Sequence, residues 1–170
     1  MTKPYFISEV SSNHGKSLQR CKEFIKVSSE IGCQAVKFQL FKIDKLFAPE
    51  VLLKSEEHRK RKKWELPVEF LPELSHYTHK LGMEFTCTPF YIEVVKELEP
   101  YVDFYKIASY ELLWDDLIIE CARTGKDLVL STGMATVNEI VHAVDIFRQN
   151  SNAKLTLLHA ISGYPTPVNE

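Results

Sequence analysis

Short apolar runs alternate along the chain with longer stretches in which apolar residues return every three or four positions. The runs Tyr5 to Val10, Ala35 to Gln39, Met83 to Thr88, Phe104 to Ala108, Leu128 to Ser131 and Leu155 to His159 read as β-strands. Between the first two, Leu18, Cys21, Phe24, Ile25 and Ile31 recur at helical spacing, and Gly32 supplies a stop. Leu74, Tyr77, Thr78 and Leu81 do the same before Gly82; Pro72 marks the first turn of that helix, or Pro67 starts it earlier with a kink. Further helices are expected over Ile92 to Leu98, Trp114 to Arg123 and Val137 to Arg148. The last has Thr136 as its cap and Glu139 three residues later, the pattern of a capping box.

Strand–helix–strand alternation with continuous apolar strands predicts a parallel sheet with covered faces. Most strand-to-strand steps are roughly 20 to 30 residues, the repeat of a β/α unit. The stretch from Leu40 to Leu66 departs from this rhythm and reads as a long loop. It holds five consecutive basic residues, Arg59 to Lys63, flanked by Glu56, Glu57 and Glu65. A solvated loop face is the plain reading; a lid over a site is the alternative, since long loops in compact domains are often functional.

Six strands leave two architectures open, a doubly wound open sheet and a (β/α)8 barrel interrupted before its last two units. Glu9, Lys37, Gln39, Thr88, Ser109, Ser131 and His159 lie near the carboxyl ends of different strands, with Lys106 slightly deeper. A barrel gathers such residues at one mouth. An open sheet uses one switch point and usually a glycine-rich phosphate turn, and neither GxGxxG nor GxxxxGK[ST] occurs. The sequence is therefore read as α/β, a TIM-type (β/α)8 barrel of which about six units are present, forming a single partial domain over 1–170.

Charge and composition narrow the partners. A formal net charge of −2 gives no global attraction to nucleic acid or to an anionic membrane. No stretch approaches the roughly 18 apolar residues of a membrane helix, and no signal-peptide pattern opens the chain. The four cysteines, Cys21, Cys33, Cys87 and Cys121, form no CxxC pair, so they read as buried thiols of a cytoplasmic protein.

Two lysines carry the chemical argument. Lys37 and Lys106 each sit inside an apolar strand run, where a charge costs several kcal/mol unless something neutralises it. Strand alternation puts Lys37 and Gln39 on one face, the interior of a barrel. There the lysines can bind phosphate or carboxylate as point charges; otherwise each pairs with a neighbouring acid or sits at a strand edge. Thr88, Ser109, Ser131 and Thr132 add hydroxyl donors, although Ser131-Thr132-Gly133 is also compatible with a simple turn. Glu9 can polarise a hydroxyl, orient water or shuttle a proton, or merely cap the following loop. His14 and His159 lack any HxH or HExxH context, and His76 and His79 read as surface residues.

Six ordered blocks then resemble the N-terminal barrel of the sialic acid synthase family. They are Glu9-Val-Ser-Ser-Asn13-His14, Ala35-Val-Lys-Phe-Gln39, Thr86-Cys-Thr-Pro-Phe90, Tyr105-Lys-Ile-Ala-Ser109, Leu130-Ser-Thr-Gly-Met134 and the stretch from His159 to Pro167. The resemblance implies contacts to phosphoenolpyruvate from Lys37, Thr88, Lys106, Ser109 and Ser131, an active-site acid at Glu9, and acceptor-facing positions at Gln39, Ser162 and Tyr164. N-acetylneuraminate synthases of this type carry asparagine where this chain has Ser162. Serine cannot reproduce both the donor and the acceptor of an amide, so the acceptor stays open among the precursors of legionaminic, pseudaminic and related acids.

The family reaction joins phosphoenolpyruvate to an N-acylated amino sugar in its open aldehyde form, giving a nonulosonic acid and phosphate. A divalent metal, Mn2+ or Mg2+, polarises the aldehyde. Its histidine ligands lie on the seventh and eighth strands, and a small antifreeze-like domain follows and closes the neighbouring subunit's site in a homodimer. Neither is within these 170 residues, so the expectation is a piece of a longer enzyme, or one part of a split one, with no metal ligands of its own. A non-catalytic half-barrel module and a related aldol-type enzyme acting on a phosphorylated sugar are the alternatives.

Overall fold

The computed structural model describes residues 3–163 and 165–169. They fall into two compact units, 1–103 and 104–170.

In the first unit three parallel strands stand in chain order: β1 (Ile7–Glu9), β2 (Ala35–Leu40) and β3 (Glu84–Pro89). Helix α1 (Leu18–Glu30) connects the first pair, with Ser17 at its N-cap accepting the Arg20 N–H. Four chain segments fill the long step from β2 to β3: α2 (Ile43–Leu46), α3 (Pro49–Lys54), α4 (Glu56–Lys60) and α5 (Leu71–Lys80). A five-residue helix, α6 (Val94–Leu98), follows β3.

The register divides this sheet into two chemically different faces. Val36, Phe38, Phe85 and Cys87 point one way and are all fully buried. Phe38 and Phe85 pack with ring centroids 5.9 Å apart. Helix α1 lies on this side, because Ser28 on α1 donates to the Oγ of Ser8 at 2.7 Å, and Ser8 stands in register with Val36. Glu9, Lys37, Gln39, Thr86 and Thr88 point the other way. Side-chain alternation with period two thus puts helix packing on one face and functional polarity on the other.

The second unit repeats the plan. Strands β4 (Phe104–Ile107), β5 (Asp127–Ser131) and β6 (Leu155–Leu158) are parallel and in order, linked by α7 (Asp115–Arg123) and α8 (Val137–Asn150). Leu117, Ile118, Cys121 and Ala122 of α7 and Ala143 and Phe147 of α8 supply buried apolar faces. The capping box at Thr136 and Glu139 is formed in both directions.

Several expected boundaries shift. The first strand is limited to Ile7–Glu9, although the Val10 N–H still donates to the Lys37 carbonyl at 3.0 Å. The helix expected from Ile92 starts only at Val94. Residues 41–66 are not an irregular loop: Pro49 opens α3, Ser55 caps α4 through the His58 N–H, and residues 61–64 continue as a 3-10 turn. Each piece is too short for a helical repeat to show in the sequence. Pro72 does stand in the first turn of α5, while Pro67 precedes a separate 3-10 turn.

Candidate functional site

In the first unit, parallel register lines up Glu9, Lys37 and Thr86, with Gln39 and Thr88 one step along the same face. The Lys37 ammonium forms an ion pair with the Glu9 carboxylate and donates to Thr88 Oγ1 at 3.5 Å. Gln39 Nε2 donates to the other Glu9 oxygen at 3.3 Å. The Lys37 side chain is only 11% exposed, against 41% for Glu9, so the pair runs from the strand face outward to solvent. Of the two readings of Lys37, pairing with a neighbouring acid is the one seen here. An ammonium has three donors, so these two contacts do not exhaust it. Cys87 points to the opposite face; complete burial pushes its thiol well above the ordinary range and leaves it chemically inert.

The loop after Glu9 is tightly wound. Ser11, Gly15 and Lys16 have φ of 52°, 55° and 57°, a conformation that non-glycine residues adopt at a cost. Asn13 holds the turn by donating both its side-chain and backbone N–H to the Val10 carbonyl, at 3.0 and 3.2 Å. Across the 43–66 excursion, the Ile43 N–H donates to the Glu65 carboxylate at 2.8 Å and closes its base. The basic run is largely the solvated face expected: Arg59, Lys60, Lys62 and Lys63 are exposed. Arg61 is the exception, lying 5.6 Å from the ring centroids of both Phe47 and Trp64.

In the second unit Lys106 is 8% exposed and donates to the Ile107 carbonyl at 2.8 Å. Its register partner is Val129, which puts Ser131, also buried, on the same face two residues on. Ser109 lies just beyond β4, and its Oγ accepts the Gly133 N–H at 3.0 Å. A Cβ on Gly133 would come within 2.5 Å of Ser162 Oγ, 2.9 Å of Ser109 Oγ and 3.1 Å of the Ala160 carbonyl. Both serines therefore converge on a position where only glycine fits. Met134 follows with φ 66°.

Glu111, two residues past Ser109, was not among the sequence candidates. Burial, the largest cause, pushes its carboxyl above the ordinary range, opposed by its backbone hydrogen bond and by nearby Lys106. Its Oε2 is sealed from solvent without a hydrogen-bond partner. The matched block ends at Ser109, and nothing in the spacing of Ser109-Tyr110-Glu111 marks the acid as inward-facing. Gly133 was read as a possible turn residue; the close approach of Ser162 comes from a segment almost thirty residues away.

The structure thus gathers Glu9, Lys37, Gln39 and Thr88 in the first unit. In the second it places Lys106 and Ser131 on one face, and Ser109 and Ser162 around Gly133. Tyr164 lies outside the described residues. His159 is exposed beyond the end of β6, whereas His14 is fully buried. His76 and His79 are both exposed, His79 accepting or donating at 2.7 Å with Asp103. Among the described residues no three His, Cys, Asp or Glu side chains cluster as a metal site, and no helix is long and apolar enough to cross a membrane.

Parallel β/α units in chain order, with polar side chains gathered at the strand ends, define a TIM-type α/β barrel protein of which six units are present. The NeuB family profile matches residues 24–170, and the chain belongs to that family. It is 32% identical over 178 residues to pseudaminic acid synthase of Helicobacter pylori, covering 98% of this chain and 52% of that protein. It is also 32% identical over 183 residues to N,N'-diacetyllegionaminic acid synthase of Campylobacter jejuni, covering 100% of this chain and 55% of the relative. N-acetylneuraminic acid synthetase of Leptospira borgpetersenii, solved in complex with citrate, superposes with a TM-score of 0.89 at 28% identity, over 98% of this chain and 57% of that one. The chain spans about half the length of the curated relatives it matches.

Proposed function

We propose that this chain carries the donor-binding part of an enzyme that condenses phosphoenolpyruvate with an N-acylated amino sugar, yielding a nonulosonic acid and inorganic phosphate. The observation that carries the reading is Lys37, an ammonium 11% exposed on a strand face with the Thr88 hydroxyl beside it. These are positions at which the sialic acid synthase resemblance implies contact with the enol phosphate. In the second unit, Lys106, Ser109 and Ser131 fill the corresponding donor roles. The named products of the similar synthases are all nonulosonic acids, which supports the acceptor class without choosing its member.

In this reaction C3 of the enol phosphate bonds to the aldehyde carbon, whose oxygen takes up a proton. Water adds at C2 and gives up a proton, and the C2–O bond to phosphate then breaks. Lysine ammonium groups offset the donor's charge and the charge that develops at C2. Glu111, held toward its neutral form by burial, is suited to carry a proton. Glu9, ion-paired to Lys37, orients that ammonium. Gln39, Ser162 and Tyr164 face the acceptor. The described residues offer no ligand set for Mn2+ or Mg2+, so no step is assigned to a metal here. A homodimer in the cytoplasm belongs to the same proposal.

Calorimetric titration of this chain with phosphoenolpyruvate tests the donor role. Binding that is lost in Lys37→Met and Lys106→Met supports it; equal affinity in all three proteins overturns it. The Lys37–Glu9 ion pair favours a second reading, a non-catalytic half-barrel in which the pair is structural. That reading expects no affinity at all, and no phosphate release when candidate amino sugars and manganese are added.

A further inference from the structure

His14 lies in the loop between β1 and α1, is fully buried, and takes no part in the ion-pair group around Lys37. Its two ring nitrogens face different pieces of chain. Nδ1 accepts the Lys16 N–H at 3.0 Å, so in the neutral ring the proton sits on Nε2. Nε2 is sealed from solvent and makes no hydrogen bond of full geometry; the polar group it faces is the backbone carbonyl of Trp64.

Both contacts sit at structurally demanding places. Gly15 and Lys16 have positive φ, and the Ser17 N–H returns to the His14 carbonyl at 3.0 Å, so the imidazole is wrapped by its own turn. Trp64 stands beside Glu65, whose carboxylate closes the 43–66 excursion onto Ile43. The Trp64 ring also carries the Arg61 guanidinium. The imidazole is therefore placed where the loop that follows Glu9 meets the base of the excursion.

We infer that His14 is a positioning residue, a neutral imidazole clasp that couples the loop after Glu9 to the 43–66 excursion, accepting from the loop through Nδ1 and donating toward the excursion through Nε2. Through it, any displacement of the excursion reaches the turn that begins one residue after Glu9. The two edges of the ring are chemically unlike, which makes them separable. Asparagine places a carbonyl oxygen near Nδ1 but stops short of Trp64. Glutamine reaches the Nε2 position with an amide donor and leaves Lys16 without its acceptor.

Limited trypsin digestion of the whole chain reads the clasp directly, because Arg59 to Lys63 put five cleavable residues inside the excursion. His14→Asn is expected to raise the initial cleavage rate within 59–63 on the order of tenfold, the change in local opening that one buried hydrogen bond sustains. His14→Gln is expected to stay within about twofold of wild type, and cleavage after Lys80 and Arg123 to be unchanged in both. Equal cleavage within 59–63 by the two variants overturns the proposal, as does equal acceleration at Lys80 and Arg123, which marks a space-filling histidine. If His14→Asn does not fold, hydrogen exchange of His14→Gln decides. Faster exchange at the Lys16 amide with unchanged protection across 43–66 supports the clasp, and loss of protection in both or in neither overturns it. No substrate enters these measurements, so their outcome is independent of the condensation proposed above.

Discussion

Ser162 Oγ occupies the space that a side chain on Gly133 would need, 2.5 Å from where its Cβ would stand. The Gly133 N–H is in turn held by Ser109 Oγ. Gly133→Ala is therefore expected to destabilise by about 1–3 kcal/mol, the usual cost of overpacking a fixed site. The Tm should fall, and Ser162→Gly added to Gly133→Ala should recover part of that fall, since it removes the nearer of the two hydroxyls. No recovery in the double variant would place the clash at Ser109 or at the Ala160 carbonyl instead.

Glu111→Gln tests the buried carboxyl by a pH profile. Burial raises its folded value above the ordinary 4.5, so as pH rises through that ordinary value the unfolded chain releases its proton first. Ionisation then favours the unfolded state, and the loss grows until the folded carboxyl also ionises. The glutamine variant should melt higher than wild type near neutral pH, and the two should converge below about pH 4. If Glu111 also carries the proton in the proposed condensation, turnover falls in the same variant that gains stability.

His14 gives the opposite profile. Its value is lowered by burial, with Lys16 acting in the same direction and the Trp64 carbonyl opposing. The unfolded chain then takes up a proton below the ordinary 6.5 while the folded ring does not. Stability attributable to this ring is intact above that value and is lost as pH falls through the folded value. Subtracting the His14→Gln stability profile from that of wild type isolates the effect. A difference that stays flat from pH 7 to pH 4 would contradict it.

Thr136→Ala removes both partners of the reciprocal cap on α8, since the hydroxyl accepts the Glu139 N–H and also donates to the Glu139 carboxylate. A loss of about 1 kcal/mol is expected, measured by urea denaturation. Glu139→Gln should cost less, because an amide oxygen can still accept the Thr136 N–H.

Lys37→Met is expected to weaken phosphoenolpyruvate binding by more than about tenfold, as removal of a charged donor from an anion does. Its effect on stability should be small, because the Glu9 carboxylate left behind is 41% exposed and regains water. A variant that unfolds instead would show the ion pair to be structural.

The fold was legible wherever a physical signal was local. Apolar runs located all six strands, and Thr136 with Glu139 announced a helix start that the structure forms in both directions. Pro72 marked the first turn of α5 because only a helix N-terminus tolerates a missing N–H. The short helices α2 to α4 were not legible, since pieces of four to six residues carry no repeat. Site chemistry divided along the same line. That Lys37 and Gln39 share a face follows from alternation alone. That Glu9 neutralises Lys37 follows from strand register, and that Glu111 turns inward or Ser162 reaches Gly133 follows from packing between distant segments. None of these is written in neighbouring residues.

Lys37 and Phe38 are adjacent in sequence yet look to opposite sides of β2. Losing or gaining one residue in the turn at 31–34 would trade their places, thrusting an ammonium among aromatic rings and leaving the polar side bare. Mutational drift can therefore recolour this strand one residue at a time but cannot change its phase. Length variation is driven into the connections beyond the strand tips, where the 43–66 excursion has already absorbed a large share of it.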